Sequence, residues 1–522
     1  MRKSLFKFIS KKYDKVTLVL ILVIASFYRL YGIQDYMVFL GDEGRDASVV
    51  YGILHGHFTL LGPTASVGGF FLGPIYYYFM ASFLWLFNYN PVGPATMVAL
   101  FGIATVWLVY KIGKEFFGTS VGLIAAGLYT ISPLVVTYSR SSWNPNLMPF
   151  FSLLALYLTY KAMKKKSIKL LILLGFIFGI LMQLHYLAVF LGVIIAIYIA
   201  LYQLVYSKSN PFIKIVKKYL FIFLGFIIGW SPFLAFEVRH GFLNVISIFN
   251  FVFHSKDTGG SIHFFNIVND VFFRIFGRLV ANFPTLAAVS SWPKLSINFW
   301  SAFALILALS SSGLLIYKCF KEYKLRSSSF AKYSLITLWL AIGIGLFGFY
   351  KKSIYDYYFG FMFPLPFLIT GIFLKHIWIS KAGKVLSVII LLILIWLNSL
   401  TPPFLAPANR QLAQMKEIAK ATVEKTSNKP YNFALIAEGN SDYAYRYFFT
   451  LWHKEPITIL PTYLDPKRKS VTDQLFVICE IPDCRPLGYS LWEIAGFGRA
   501  EIVGGWDASV VKIYKLEHYK GK

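Results

Sequence analysis

The sequence predicts an all-α polytopic membrane protein with about eleven transmembrane helices and a small α/β domain at its C-terminus. Of its 522 residues, 57% are hydrophobic and only 14% are charged, whereas soluble proteins carry about a quarter charged residues. Apolar runs of about 17–20 residues recur up to residue 400, and this length matches the hydrocarbon core of a bilayer. Beyond residue 400 the apolar runs become short and alternate with polar segments.

The first predicted span follows a basic N-terminal segment, MRKSLFKFISKKYDK. Its apolar run at 16–33 is longer than the apolar region of a signal peptide, and no small-residue cleavage site follows it. We interpret it as an uncleaved signal anchor. The other ten predicted spans lie near 94–110, 120–138, 147–162, 169–183, 187–206, 219–236, 296–317, 333–349, 357–374 and 383–400.

Basic residues are concentrated in short loops between these runs, and the positive-inside rule places such loops in the cytoplasm. They are 1–15, 111–118, 161–169, 207–218, 318–332 and 375–384. The external segments are then the first external loop 34–93, the long external loop 237–295, three shorter loops at 139–146, 184–186 and 350–356, and the tail. The net charge of +27 is thereby explained by topology and by contacts with membrane lipids, and not by nucleic acid. This pattern predicts a plasma-membrane protein with a cytoplasmic N-terminus.

One apolar run, at 70–87, does not fit this alternation because the loops on both of its sides must be external. It begins with Gly73-Pro74 and the three tyrosines 76–78, and tyrosine favours the membrane interface. We therefore predict a juxtamembrane or re-entrant helix within the first external loop.

The C-terminal segment, 401–522, has the composition of a small α/β unit. Prolines at its start end the last span, and strand-like runs such as QLFVICE follow. The unit has no Gly-rich phosphate loop and no metal-spaced His/Cys set, so we expect an extracytoplasmic accessory or lid domain. Cys479 and Cys484 are close enough in sequence to pair in an oxidising compartment, and two free thiols are an equal alternative.

Polar residues of a kind suited to sugar transfer gather in the external loops. A leaving phosphate needs cations around it, and an acceptor hydroxyl needs a carboxylate to take its proton. A donor without a nucleotide diphosphate has no inherent need for a divalent metal, so no cofactor or metal is expected. The candidates are the carboxylates Asp42 and Glu43 and, for the donor phosphate or the substrate, Arg140, Asn144, His185, Arg239, His240, Lys351 and Tyr357.

Four short motifs resemble those of the GT-C fold membrane glycosyltransferases, in the protein O-mannosyltransferase and aminoarabinose transferase branch (glycosyltransferase family 39-like). DEGRD (42–46) resembles D-E-x-R-Y, and FLGPIYYYF (71–79) resembles the juxtamembrane H-K-P-P-L-Y-Y-W. SRSSWNPNLMPFF (139–151) resembles R-x-x-x-x-D-x-L, and YDYYFGFMFPLPF (355–367) resembles a late H-Y-x-x-P-x-x-P element. The resemblance covers roughly residues 16–400 and implies a GT-C fold, with Asp42 as the catalytic base.

The chain departs from these motifs at four places. Leu72 stands where the family has Lys, Pro94 lies where an Arg opens the next span, and Asp356 replaces the late His. Asn144 or Asn146 replaces the second-loop Asp, which disfavours a metal-dependent mechanism. Donor phosphate would then be held by Arg140, Arg239, His240 or Lys351.

The resulting hypothesis is an inverting glycosyltransferase that uses a polyprenyl-phosphate sugar at the extracytoplasmic face. Asp42 would be the general base and Glu43 would orient it or bind the acceptor, which is a protein, a lipid or a glycan. One alternative is a transporter or flippase for lipid-linked sugars, which would call for charged residues within the spans. Another is an inactive scaffold that has kept the fold.

Overall fold

The computed structural model describes residues 2–207, 209–255, 257–259, 262–285 and 292–521, with side chains from residue 13 onward. Its helices, in chain order, are α1 (Arg2–Leu30), α2 (Ile33–Tyr36), α3 (Gly41–Leu54), α4 (Ile75–Leu86), α5 (Val92–Phe117), α6 (Thr119–Ile131), α7 (Pro133–Tyr138), α8 (Met148–Lys165), α9 (Ile168–Leu184), α10 (Ala188–Tyr206), α11 (Pro211–Gly229), α12 (Ser231–Arg239), α13 (Leu243–Phe253), α14 (Phe264–Gly277), α15 (Lys294–Lys324), α16 (Phe330–Gly345), α17 (Leu365–Ile377), α18 (Lys381–Asn398), α19 (Gln411–Lys425), α20 (Tyr443–Leu451) and α21 (Trp492–Ala495). Short 3-10 helices occupy Asn144–Leu147, Leu346–Phe349 and Asp356–Met362. The strands are β1 (Asn432–Ile436), β2 (Gln474–Cys479), β3 (Ala500–Ala508) and β4 (Val511–His518).

The predicted polytopic helical class is confirmed. Each of the eleven predicted spans overlaps a helix, and within the described residues five helices are long and apolar enough to cross a membrane, or seven if each of two bent pairs is one span. One bent pair is α11 with α12, which meet at 74°. The second residue of α12 is Pro232, which has no N–H to continue the helical hydrogen bonds. The helix lengths therefore do not establish the predicted count of eleven spans.

The run at 70–87 forms a short helix. α4 has twelve residues, or about 18 Å at 1.5 Å per residue, which is shorter than the ~30 Å hydrocarbon core. It begins after Gly73-Pro74 and packs between α3 and α5. It is too short to cross a membrane alone, as a juxtamembrane helix would be.

The long external loop predicted at 237–295 contains mostly helix where it is described. It holds the end of α12, then α13 and α14, and the first residues of α15. Residues 256, 260–261 and 286–291 of this loop lie outside the described residues.

Glycines bring α9 and α11 into backbone contact. A Cβ at Gly175 would lie 1.9 Å from the carbonyl oxygen of Ile222, and one at Gly225 would lie 1.9 Å from that of Ile172. Gly179 and Gly229, four residues further on, meet the partner backbone in the same way. Small residues at this spacing are a common means of close helix packing in membranes.

The C-terminal residues build a four-stranded sheet in the order β1-β2-β4-β3. β1 and β2 are parallel, and the other two pairs are antiparallel. One face packs with α19 and α20 against Ile33, Phe39 and Ala47, which lie near the start of the chain. A disulfide joins Cys479, the last residue of β2, to Cys484, which decides between the two alternatives that the sequence left open.

Candidate active site

The charged cluster after the first span forms the first turns of α3. Asp42 is the second residue of this helix, and its side chain is 56% exposed. Glu43 is buried, and its carboxylate accepts a hydrogen bond from the backbone N–H of Leu40 at 3.1 Å. Acidic side chains are favourable at this end of a helix because its free N–H groups carry partial positive charge. The sequence therefore presents one carboxylate to solvent and uses its neighbour as a cap.

Arg45 joins two carboxylates of this helix. Its Nη1 donates to Asp42 Oδ1 at 2.9 Å, and its Nη2 donates to Asp46 Oδ1 at 2.8 Å. Asp46 is fully buried and also accepts a hydrogen bond from the Tyr77 hydroxyl at 3.1 Å. The guanidinium is thus held between an exposed carboxylate and a buried one.

Burial changes the acidity of the two buried carboxylates. Loss of solvent raises the pKa of Asp46 to about 6, although Arg45 opposes this shift. Loss of solvent also raises the pKa of Glu43 to about 7, and the nearby charges of Asp42 and Asp46 add to it. A low-dielectric surrounding disfavours the charged form of an acid.

Two cavities open beside Asp42, and they are named the large and the small polar cavity after the charged and amide side chains in their walls. The large polar cavity has a volume of about 690 Å³ and is lined by Val38, residues 40–43, Thr137, Tyr138, Ser141, Trp143, Asn146, Gly439, Asn440 and Ser441. The small polar cavity, of about 170 Å³, is lined on its polar side by Asp42, Arg45, Asn144, His185 and Tyr357. Asp42 and Trp143 line both, so the exposed carboxylate borders both cavities.

An apolar groove of about 410 Å³ adjoins the small polar cavity. Leu72 and Tyr186 line both of them. Its other walls are almost entirely apolar and include Phe190, Phe233 and Phe251. Each of the three spaces therefore shares lining residues with the next, in the order large polar cavity, small polar cavity, apolar groove.

Five of the residues predicted from the sequence meet at these cavities: Asp42, Glu43, Asn144, His185 and Tyr357. Asn144 donates to the backbone carbonyl of Leu184 at 2.6 Å, which fixes the turn that carries His185.

His185 is buried and neutral at this turn. Its Nδ1 accepts the N–H of Leu187 at 3.2 Å, which leaves the proton on Nε2. Burial lowers the pKa of His185 to about 3. The neutral ring therefore offers an N–H donor at the wall of the small polar cavity.

Four other predicted residues line none of the three cavities in the described part of the chain. Arg140 is buried and donates to the backbone carbonyls of Tyr28 and Tyr31, at 3.1 and 2.6 Å. Arg239 and His240 are exposed at the end of α12. Lys351 is exposed, with its Nζ beside Gly259, a residue of the apolar groove.

Sequence reasoning missed three contributors to the site. Arg45 is absent from the predicted residues, although its spacing of three residues from Asp42 places both on one helix face. Asn440 and Ser441 come from a segment about 400 residues further along the chain, and no sequence signal links them to Asp42. Among the described residues, no group of three or more His, Cys, Asp or Glu side chains is placed to hold a metal ion.

Comparisons with known proteins agree with this architecture. A family model described as dolichyl-phosphate-mannose-protein mannosyltransferase matches residues 72–236. No curated protein sequence matches the chain.

Solved structures share the fold at low identity. ArnT from Cupriavidus metallidurans, bound to undecaprenyl phosphate, is 10% identical, with 97% of this chain and 98% of that one covered and a TM-score of 0.59. The Archaeoglobus fulgidus oligosaccharyltransferase in complex with Zn and sulfate is 13% identical, with 88% and 67% covered and a TM-score of 0.54. The archaeal oligosaccharyltransferase AglB from the same organism, in complex with an inhibitory peptide and a dolichol-phosphate, is 12% identical, with 90% and 69% covered and a TM-score of 0.50.

The resemblance drawn from the sequence motifs is thereby confirmed. The matched segment is similar to a family of membrane glycosyltransferases, and the chain shares the fold of ArnT and of the oligosaccharyltransferases.

Proposed function

We propose that this chain transfers a sugar from a polyprenyl-phosphate donor to an acceptor hydroxyl, with Asp42 as the general base and with inversion at the anomeric carbon. One observation carries the proposal: the exposed Asp42 lines two cavities, the smaller of which shares lining residues with an apolar groove. A base in this position borders the spaces that a polar acceptor and a lipid-linked donor would occupy.

The transfer is a single displacement. The acceptor oxygen attacks the anomeric carbon while the bond from that carbon to the phosphate oxygen breaks. The proton of the acceptor passes to the Asp42 carboxylate, and polyprenyl phosphate leaves with the bonding electron pair. A free hydroxyl is a weak nucleophile near neutral pH, so a positioned base contributes about 10²–10⁴-fold to such a step.

The donor would occupy the small polar cavity and the apolar groove. Its isoprenoid chain suits the groove, where Phe190, Phe233 and Phe251 offer apolar contact. Its phosphate would meet the Arg45 guanidinium, the Nε2–H of His185 and the Tyr357 hydroxyl, which are the donors that an oxyanion needs. The ArnT structure bound to undecaprenyl phosphate supports this class of donor.

The remaining predicted residues receive supporting roles. The cap that Glu43 forms on Leu40 fixes the start of α3 and so the direction of Asp42. Arg140 anchors its loop to the end of α1. Lys351 lies beside the apolar groove, where it can attract the anionic donor, and Arg239 and His240 would attract it from the exposed end of α12.

The proposal includes the topology of eleven spans, with a cytoplasmic N-terminus and the 401–522 domain outside the cytoplasm. The basic loops support this orientation. The Cys479–Cys484 disulfide supports it independently, because such bonds persist in oxidising compartments and are rare in the cytosol. The acceptor would therefore be a protein, lipid or glycan of the cell envelope.

The test uses cells in which the gene for this protein has been deleted. Each culture then expresses one of three forms of the full chain: the wild type, Asp42→Asn or the control Asp473→Asn. Asp473 is an exposed carboxylate just before β2, outside the cavities described above. The glycan that disappears on deletion is identified by mass spectrometry of the envelope. Wild type and Asp473→Asn should restore it, and Asp42→Asn should not, at equal membrane levels.

A second measurement separates transfer from transport. Detergent-purified protein is given a radiolabelled sugar on undecaprenyl phosphate together with envelope from the deleted cells. A transferase consumes the donor without a closed membrane, whereas a transporter needs two compartments. Full turnover by Asp42→Asn would overturn the assignment of the base, and donor binding without turnover by the wild type would favour an inactive scaffold.

A further inference from the structure

The first turn of α3 is built against the C-terminal domain. A Cβ at Gly41 would lie 2.0 Å from Ser441 Oγ, and a Cβ at Gly44 would lie 2.4 Å from the backbone of Ala444. Gly41 and Gly44 are three residues apart and therefore share one helix face. The two glycines of GDEG thus allow α3 to approach the start of α20 at backbone distance, with Asp42 between them.

One side chain of that domain caps the helix. The Oδ1 atom of Asn440 accepts the backbone N–H of Gly41 at 3.1 Å. The first N–H groups of a helix have no partner within the helix, and here one of them is satisfied from a residue about 400 positions away in the sequence. Asn440 also lines the large polar cavity, together with Asp42.

The orientation of this amide is determined by Glu480. The Nδ2 atom of Asn440 donates to both carboxylate oxygens of Glu480, at 2.9 and 3.0 Å, and Tyr445 donates its hydroxyl to the same carboxylate at 2.6 Å. A carboxylate accepts hydrogen bonds and does not donate them, so the amide nitrogen must face Glu480. The amide oxygen must then face Gly41. Glu480 itself directly follows Cys479 of the disulfide.

We propose that Asn440 is a positioning residue for the reaction, which holds the Asp42 carboxylate at the acceptor side of the site. The 401–522 domain is then part of the catalytic unit rather than an accessory. Glu480 sets the direction of the Asn440 amide, the amide holds the first N–H of α3, and the helix start carries Asp42. The inference rests on the function proposed above, because it assigns the chemistry to Asp42.

A pair of substitutions tests this chain of contacts. Asn440→Asp places two carboxylates face to face and removes the donor to Glu480, so repulsion between them should move the oxygen that caps the first turn of α3. Adding Glu480→Gln restores a donor–acceptor pair, because the new amide can donate to one oxygen of the introduced carboxylate while the other oxygen accepts the Gly41 N–H. The repair would establish the contact between the two side chains, and the kinetic readout then separates a positioning role from one in folding alone.

Two readouts are measured on the detergent-purified full chain. Hydrogen exchange of the peptide that covers residues 38–46 needs no substrate, and it should become faster in Asn440→Asp and return to the wild-type rate in the double variant. With the donor on undecaprenyl phosphate and the envelope acceptor, kcat should fall by up to about 10²-fold in Asn440→Asp, the scale expected when a reacting group is misplaced by about 1 Å. The KM for the donor should not change.

The controls separate this inference from the function itself. Asn298→Ala removes an exposed amide of α15 and should match the wild type in both readouts. If Asp42→Asn abolishes turnover while Asn440→Asp keeps the wild-type kcat and exchange rate, the positioning role is wrong and the proposed function stands. If Asp42→Asn keeps full turnover, the proposed base is wrong, and the exchange data alone then report on the cap.

Discussion

Replacement of Gly44 by alanine should separate α3 from the C-terminal domain. The new methyl carbon would lie 2.4 Å from the Cα and backbone N of Ala444, whereas unstrained carbon contacts lie at about 3.5–4.0 Å. Both neighbouring atoms belong to the main chain, so no side chain can rotate away. The helix must therefore move by about 1 Å, and such overpacking costs about 1–3 kcal/mol.

The same helix supplies a matched control. A Cβ at Gly52 would lie 3.6 Å from the Cβ of His57, which is an ordinary contact. Because alanine favours a helix over glycine by about 1 kcal/mol, Gly52→Ala should leave the protein equally or more stable. The two substitutions are chemically identical and differ only in what the new methyl group meets.

Thermal unfolding of the detergent-purified chain, followed by tryptophan fluorescence, measures the difference. Gly44→Ala should lower the melting temperature relative to the wild type, and Gly52→Ala should not. After the helix gain of about 1 kcal/mol is subtracted, Gly44→Ala should be less stable than the wild type by up to about 2 kcal/mol, and less stable than Gly52→Ala by about 1–3 kcal/mol. Equal melting temperatures for the two variants would show that α3 does not pack closely on α20.

Three further outcomes are expected. Burial raises the pKa of Glu43 to about 7, so the stability that its protonated form contributes is present below pH ~4.5 and is lost as the pH rises to about 7. The difference in melting temperature between the wild type and Glu43→Gln should therefore fall across this pH range, by the equivalent of up to about 3 kcal/mol. A difference that does not change with pH would contradict the burial of an ionisable group. In the unfolded, unreduced chain a maleimide should label Cys319 alone, since Cys479 and Cys484 are paired. After reduction, the maleimide should label all three cysteines. Because the donor carries a phosphate without a nucleotide diphosphate, transfer should continue in EDTA. If EDTA abolishes turnover and added Mn²⁺ restores it, the step is not metal-independent.

Short-range patterns carried most of what could be predicted. The apolar runs indicated the helices, and Gly73-Pro74 marked the start of a helix too short to span. The DEGRD cluster and its resemblance to D-E-x-R-Y indicated Asp42, which lines two of the cavities. These features depend on residues that are neighbours in the sequence.

Long-range contacts explain what the sequence left out. Arg140 was expected to face a phosphate, but the carbonyl groups at the end of α1 occupy its guanidinium. Asn440 and Ala444 meet α3 only because the C-terminal domain folds back on it. The number of spans does not follow from composition either. The helix bends at Pro232 within the predicted span at 219–236, and hydropathy does not register a bend.

The order of the adjoining cavities has a consequence for how the two products would leave the proposed enzyme. The large and the small polar cavity share Asp42 and Trp143, and the small polar cavity and the apolar groove share Leu72 and Tyr186. A spent lipid carrier could then return sideways to the bilayer while the glycosylated product departs into water, so that neither exit blocks the other. Larger side chains at Leu72 and Tyr186, which line both the small polar cavity and the apolar groove, would slow the release of the lipid carrier and leave the large polar cavity open.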